Sequence, residues 1–115
     1  MTATITTRRF DTIAKHLANR EPFRTRGSLK GETPDAAWLF AFASGYGRLP
    51  RDWARTLSAR RHLITYVVYS YQTPIAWHDS EAGWIVPDER YSITTSRHQS
   101  TVRAALTYLG ETYAE

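Results

Sequence analysis

The 115-residue sequence contains no cysteine and a single methionine. Without thiols there is no disulfide framework and no thiolate metal site. No apolar run approaches the roughly 20 residues that a membrane helix needs. The first nine residues, Met1-Thr-Ala-Thr-Ile-Thr-Thr-Arg-Arg9, carry their charge after a polar stretch and include no apolar core, so they do not read as a secretory leader. The expected location is cytoplasmic, with no membrane partner. Four histidines (His16, His62, His78 and His98) lack metal-ligand spacing such as a pair on one helical turn, so no metal or other cofactor is expected. Gly27-Ser-Leu-Lys-Gly31 lacks the length and the Gly-Lys-Ser/Thr ending of a phosphate-binding P-loop. Ser92 and His98 with Asp79 or Asp88 have the residue types of a hydrolytic triad, but no nucleophile elbow or oxyanion-hole glycines accompany them. Paired carboxylates at acid–base spacing are missing as well. The sequence thus argues against an enzyme, and no catalytic residue is expected.

What is present suits one globular domain spanning 1–115. Hydrophobic residues make up 42% and charged residues 23%, ordinary values that argue against wholesale disorder. The net charge of +4 is unevenly spread. Residues 1–61 hold twelve Lys/Arg against five Asp/Glu, a net +7, whereas residues 62–115 hold three against six, a net −3. Thirteen of the fifteen basic residues are arginine, whose planar fork of donors suits phosphate and carboxylate. A GC-rich genome would produce the same arginine bias. The asymmetry between the halves is independent of that bias and implies a basic face for an acidic partner.

Residues 1–7 are polar and read as a loose arm. Phe10, Ile13, Ala14 and Leu17 recur at helical spacing, predicting a short helix over Arg9–Asn19 that ends at Glu21-Pro22. Phe23–Glu32 alternates and reads as one strand, weakened by Gly27 and Gly31. Trp38–Phe42 reads as an apolar strand and Ser44–Gly47 as a loop. Pro50 opens a second helix, with Trp53, Ala54 and Leu57 as its buried stripe. Leu63–Tyr71, rich in β-branched and aromatic residues, is the strongest strand signal. Pro74 should interrupt or bend the chain before a hairpin of Ile75–His78 and Trp84–Val86, followed by a further strand at Tyr91–Ile93. Val102, Ala105, Leu106 and Leu109 form the stripe of a last helix that stops at Gly110. The expected fold is α+β: a mostly antiparallel β-meander of four to six strands packed against a C-terminal helix, with two shorter N-terminal helices. Residues 63–115 form its meander-plus-helix unit.

Two places could receive an anion. Ser96 followed three residues later by Gln99 fits a capping box at the start of the last helix. Arg97 and His98 would then occupy a first turn where the helix dipole favours acids. Ser96, Arg97, His98 and Gln99 are therefore a candidate anion site, with a hydroxyl-capped helix whose Arg97 pairs with Asp88 or Glu89 as the plainer alternative. The second place is a basic surface of Arg24, Arg26 and Lys30 on the predicted strand, with Arg48, Arg51 and Arg55 on one face of the second helix. Such a surface would bind the nucleic-acid backbone. Charged side chains that keep an edge strand and a helix exterior soluble are the alternative. Tyr69, Tyr71, Trp77 and Trp84 have the ring faces to stack bases, although aromatics in a short meander also serve as core.

The run Tyr66-Val-Val-Tyr-Ser-Tyr-Gln-Thr-Pro-Ile-Ala-Trp77, then Trp84, then Tyr91-Ser-Ile-Thr-Thr-Ser-Arg-His-Gln-Ser100, resembles a small domain of unknown function. That domain is found in actinobacterial tailed phages and related bacterial genomes. The resemblance covers about the last 50 residues, with Gly47-Arg-Leu-Pro50 joining it. It implies a phage or prophage protein at work in the bacterial cytoplasm and outside the virion, and it carries over no activity, cofactor or catalytic residue. The leading expectation is a non-enzymatic accessory protein that binds nucleic acid through its arginine-rich N-terminal half. A module that binds or inhibits a host bacterial protein through Trp38–Phe42 or a sheet edge is the alternative. An enzyme acting on a small anionic substrate at Ser96–Gln99 comes third.

Overall fold

Helical periodicity and β-alternation divide the chain much as their apolar patterns require. The computed structural model describes residues 2–6, 9–35, 38 and 46–115. Helix α1 (Phe10–Asn19) buries Ile13, Ala14 and Leu17 completely, as residues three and four apart on one face should. It ends with Arg20 in the left-handed conformation, φ 52°. The Arg20 N–H donates to Leu17 O and the Glu21 N–H to His16 O, the bonds of a Schellman turn. An arginine in this glycine position is held by its own side chain. The guanidinium donates to Leu17 O and Ala18 O, and it lies 5.1 Å from the Trp84 ring centroid.

The sheet has seven strands in sequence order, β1 (Ala3–Ile5), β2 (Phe23–Thr25), β3 (Leu29–Glu32), β4 (Ile64–Ser70), β5 (Thr73–Asp79), β6 (Gly83–Ile85) and β7 (Tyr113–Ala114). The four inner pairings, β2 to β6, are antiparallel, and the two outermost, β1 with β2 and β6 with β7, are parallel. Parallel neighbours require a crossover, which α1 supplies at one end and helix α3 (Ile93–Tyr108) at the other. These two helices pack on each other over one sheet face. Helix α2 (Arg51–Ala59) contributes to a core on the opposite face.

Alternation along β4 and β5 serves both cores. Tyr66, Val68, Ala76 and Trp84 face α1 and α3, whereas Val67, Trp77 and Ile85 join Ala54 and Leu57 of α2. Two bulges shift the alternation. Thr65 is the extra residue between Ile64 and Tyr66, and Ile75 the extra residue opposite Val68 and Tyr69. Pro74 therefore sits within β5, beside a bulge that relieves the ladder of its missing donor. Gly31 marks a close approach in the first core, because a Cβ there would lie 2.6 Å from Phe23 Cε1 and closer still to the Tyr66 hydroxyl.

Several expectations are corrected. The arm over residues 1–7 contains β1, tied to β2 by a parallel ladder. Phe23–Glu32 is a hairpin of two strands, the chain bending at residues 26–28 where Gly27 and Ser28 offer little side chain to pack. The sheet exceeds four to six strands and is mixed, so the purely sequential antiparallel meander describes only its centre. The strand expected at Tyr91–Ile93 is absent. Ser92 caps α3 instead, its hydroxyl accepting from the Thr95 N–H at 3.2 Å. Apart from Trp38, the expected strand Trp38–Phe42 lies outside the described residues, as do Ser44 and Gly45 of the expected Ser44–Gly47 loop. Trp38 has helical backbone, its N–H donating to Asp35 O at 3.1 Å. Among the described residues no helix is long and apolar enough to cross a membrane.

Candidate functional site

The connection between β4 and β5 is only two residues, Tyr71 and Gln72, so the strand register fixes what surrounds it. Leu29 pairs with Ser70 and Lys30 with Tyr69 across β3–β4, and Arg24 pairs with Lys30 across β2–β3. Where this end of the sheet meets the turn at Gly47-Arg48 and the start of α3, the surface opens into a cleft of about 770 Å³. Arg24, Lys30 and Arg48 line it together with Ser28, Tyr71, Tyr91 and Ser92.

Gly47 permits the approach of that turn to the sheet. Its φ is +57°, and a Cβ there would stand 2.5 Å from Thr73 Oγ1 and 2.7 Å from Gln72 O. The same Thr73 hydroxyl accepts from the Arg48 N–H at 2.8 Å, which pins the arginine to the cleft edge. Arg24 and Lys30 stand directly opposite each other, an arrangement of like charges that destabilises a strand pair by a few tenths of a kcal/mol. Lys30 is partly offset by Glu32 at 3.5 Å and by the Tyr69 ring, 5.3 Å from its ammonium. Among the described residues, no carboxylate lies within ion-pair distance of Arg24 or Arg48.

A buried polar network forms the floor. Ser70 Oγ lies 2.8 Å from His98 Nδ1 and 3.0 Å from Thr95 Oγ1, and Ser92 Oγ donates to Thr95 Oγ1 at 3.2 Å. Burial holds the His98 imidazole below its ordinary pKa, favouring the neutral ring. Ser70 is 1% exposed, so this pair joins α3 to β4 and does not present an open nucleophile. The Tyr91 phenol is pushed up to about 12, first by burial and then by Glu89, and its oxygen has no hydrogen-bond partner among the described residues.

The six basic residues expected to act together separate into groups. Arg24, Lys30 and Arg48 converge on the cleft. Arg26 leaves the strand face, because β2 ends at Thr25, and borders a smaller depression of about 640 Å³ beside His98. Arg51 and Arg55 are exposed on α2, outside the cleft lining. The expected anion site at Ser96–Gln99 is not assembled. Helix α3 begins at Ile93, so residues 96–99 lie beyond the first turn, where backbone N–H groups are already bonded within the helix. Ser96 and Arg97 face a different depression from His98, and the Gln99 amide is buried, donating to Glu89 O at 3.0 Å. Asp88 pairs with Arg103 rather than Arg97. Among the described residues no three His, Asp or Glu side chains are grouped to hold a metal ion.

The sequence reading missed Ser28, Gly47, Ser70, Thr73, Tyr91, Ser92 and Thr95 as parts of one place. A signal did exist. The segments Gly47–Pro50, Tyr66–Trp77 and Tyr91–Ser100, which carry the resemblance, each contribute to this cleft.

The model of a family of unknown function, DUF8033, matches residues 12–110. The chain belongs to that family. The DUF8033 match starts inside α1 and ends just beyond α3, so it includes every residue of the cleft and leaves out the edge strands β1 and β7. No curated protein and no solved structure matches the chain.

Proposed function

We propose that this DUF8033 protein is a small non-enzymatic accessory protein of a phage or prophage, working in the bacterial cytoplasm, that binds nucleic acid at the cleft of Arg24, Lys30 and Arg48. The phage setting rests on the two sequence blocks Tyr66–Trp77 and Tyr91–Ser100. The observation that carries the binding reading is a cation cluster of which only Lys30 has a carboxylate partner among the described residues. Arg24 opposes Lys30 across the β2–β3 ladder, and Arg48 stands at the same opening without an ion-pair partner among the described residues. Repulsion within such a cluster lowers stability; a polyanion offsets it with opposite charge, and release of the polyanion's condensed counterions favours binding further. Arg51 and Arg55 extend the positive charge along α2, and Arg26 extends it past the hairpin bend.

The host-protein reading has weaker support. Trp38 was its aromatic anchor, yet its ring is buried at 7% exposure and its indole N–H donates to Arg61 O at 3.0 Å. A polar substitution there would disturb packing before it removed a surface contact.

The test is a fluorescence-anisotropy titration of labelled DNA and RNA at several salt concentrations. Three phosphate contacts predict a slope of log K against log salt of about −2 to −3. Absence of binding to every nucleic acid at low salt would overturn the reading.

A further inference from the structure

Tyr71 has no explanation in the packing. It occupies the first position of the two-residue β4–β5 turn with φ 57°, a region that glycine and asparagine enter readily and a bulky aromatic residue rarely does. Its backbone is fixed there, the N–H donating to Ser28 O at 2.9 Å. The residue is 57% exposed, and its side chain has no hydrogen-bond, ring or cation partner among the described residues. A strained backbone thus holds an unpacked ring at the mouth of the cleft that Arg24, Lys30 and Arg48 line. Strain retained at such a place points towards a ligand contact.

The cleft's size and chemistry define that ligand. About 770 Å³ accommodates a molecule of nucleotide dimensions. A duplex keeps its base faces stacked inside and offers this ring only its sugar–phosphate exterior. A single strand offers a base face and flanking phosphates together, the combination that a stacking ring beside a cationic groove recognises. Accepting nucleic-acid binding as proposed above, we infer that the cleft takes single-stranded nucleic acid, with one base stacked on Tyr71 and neighbouring phosphates held by Arg24, Lys30 and Arg48.

The experiment compares the full chain and its Tyr71 variants on a labelled single-stranded oligonucleotide and on the corresponding duplex. The single strand is expected to bind about tenfold or more tightly than the duplex. Tyr71→Phe should keep that affinity, and Tyr71→Leu should lose roughly tenfold, in line with one lost base stack. Tyr71→Gly relieves the left-handed strain, so it should melt no lower than the wild type while binding as weakly as the leucine variant. That combination separates a ligand contact from a folding defect. Equal binding of duplex and single strand, or an unaffected Tyr71→Leu variant, would overturn the single-strand inference and leave the broader reading standing. A lower melting temperature for Tyr71→Gly would make the ring a packing residue and overturn the inference too. Failure of every nucleic acid to bind at low salt would remove both.

Discussion

Asp79 is fully buried, and its environment shows how one residue couples stability to pH. Its carboxylate accepts from Arg60 Nε at 2.5 Å and Nη2 at 3.1 Å, and from the N–H groups of Glu81 and Ala82 at 2.8 and 2.9 Å. The Arg60 contact, reinforced by the two backbone donors and opposed by burial, lowers its pKa to about 2. A carboxylate lowered in the folded state stabilises above its unfolded pKa, near 4, and this stabilisation is lost as pH falls towards 2. Asp79→Ala leaves the guanidinium and two N–H groups without their acceptor and should cost about 2–3 kcal/mol in urea unfolding at pH 7. The variant should also show a flatter pH dependence between 4 and 2. His98 acts at higher pH. Its pKa is depressed, so the unfolded chain binds a proton more readily and folding stability falls as pH drops below about 6.5. Urea midpoints measured at pH 7.5 and 5.5 should move less in His98→Asn than in the wild type. A slope from His78 should remain, since burial and Arg20 depress its pKa as well.

At the scale of elements, the two capping assignments for α3 separate cleanly. Ser92→Ala removes the acceptor of the Thr95 N–H and should cost about 1 kcal/mol, whereas Ser96→Ala should be close to neutral. Equal losses would return the helix start to Ser96. Gly31→Ala should destabilise by about 1–3 kcal/mol, because Phe23 and the Tyr66 phenol must move to admit a Cβ. The central strands were legible because β4, β5 and β6 are local hairpins built from β-branched and aromatic residues. Strands β1 and β7 were not, since three- and two-residue strands exist only through a partner that a crossover helix brings alongside. The capping error has a similar origin. Ser92 and Ser96 are one turn apart, both hydroxyls suit an N-cap, and only the burial of Thr95, His98 and Gln99 decides between them.

At the scale of the molecule, the cations of the cleft could be read in the sequence, but their grouping could not. Arg24 and Arg26 share one face of any continuous strand. The end of β2 at Thr25 separates them, while register sets Arg24 against Lys30 from the facing strand. Arg48 joins from a turn whose approach depends on Gly47. The six candidate cations are thus divided among the cleft, the depression beside His98 and the outer face of α2. A general charge effect and a site make different predictions. The most direct measurement compares two double variants that each remove two positive charges, Arg24→Gln/Arg48→Gln in the cleft and Arg90→Gln/Arg97→Gln beside α3. With labelled nucleic acid at about 0.1 M salt, the cleft variant should weaken binding roughly tenfold and the control less than about twofold. Equal weakening by both variants, or undiminished binding by the cleft variant, would contradict a nucleic-acid site at the Arg24–Lys30–Arg48 cleft.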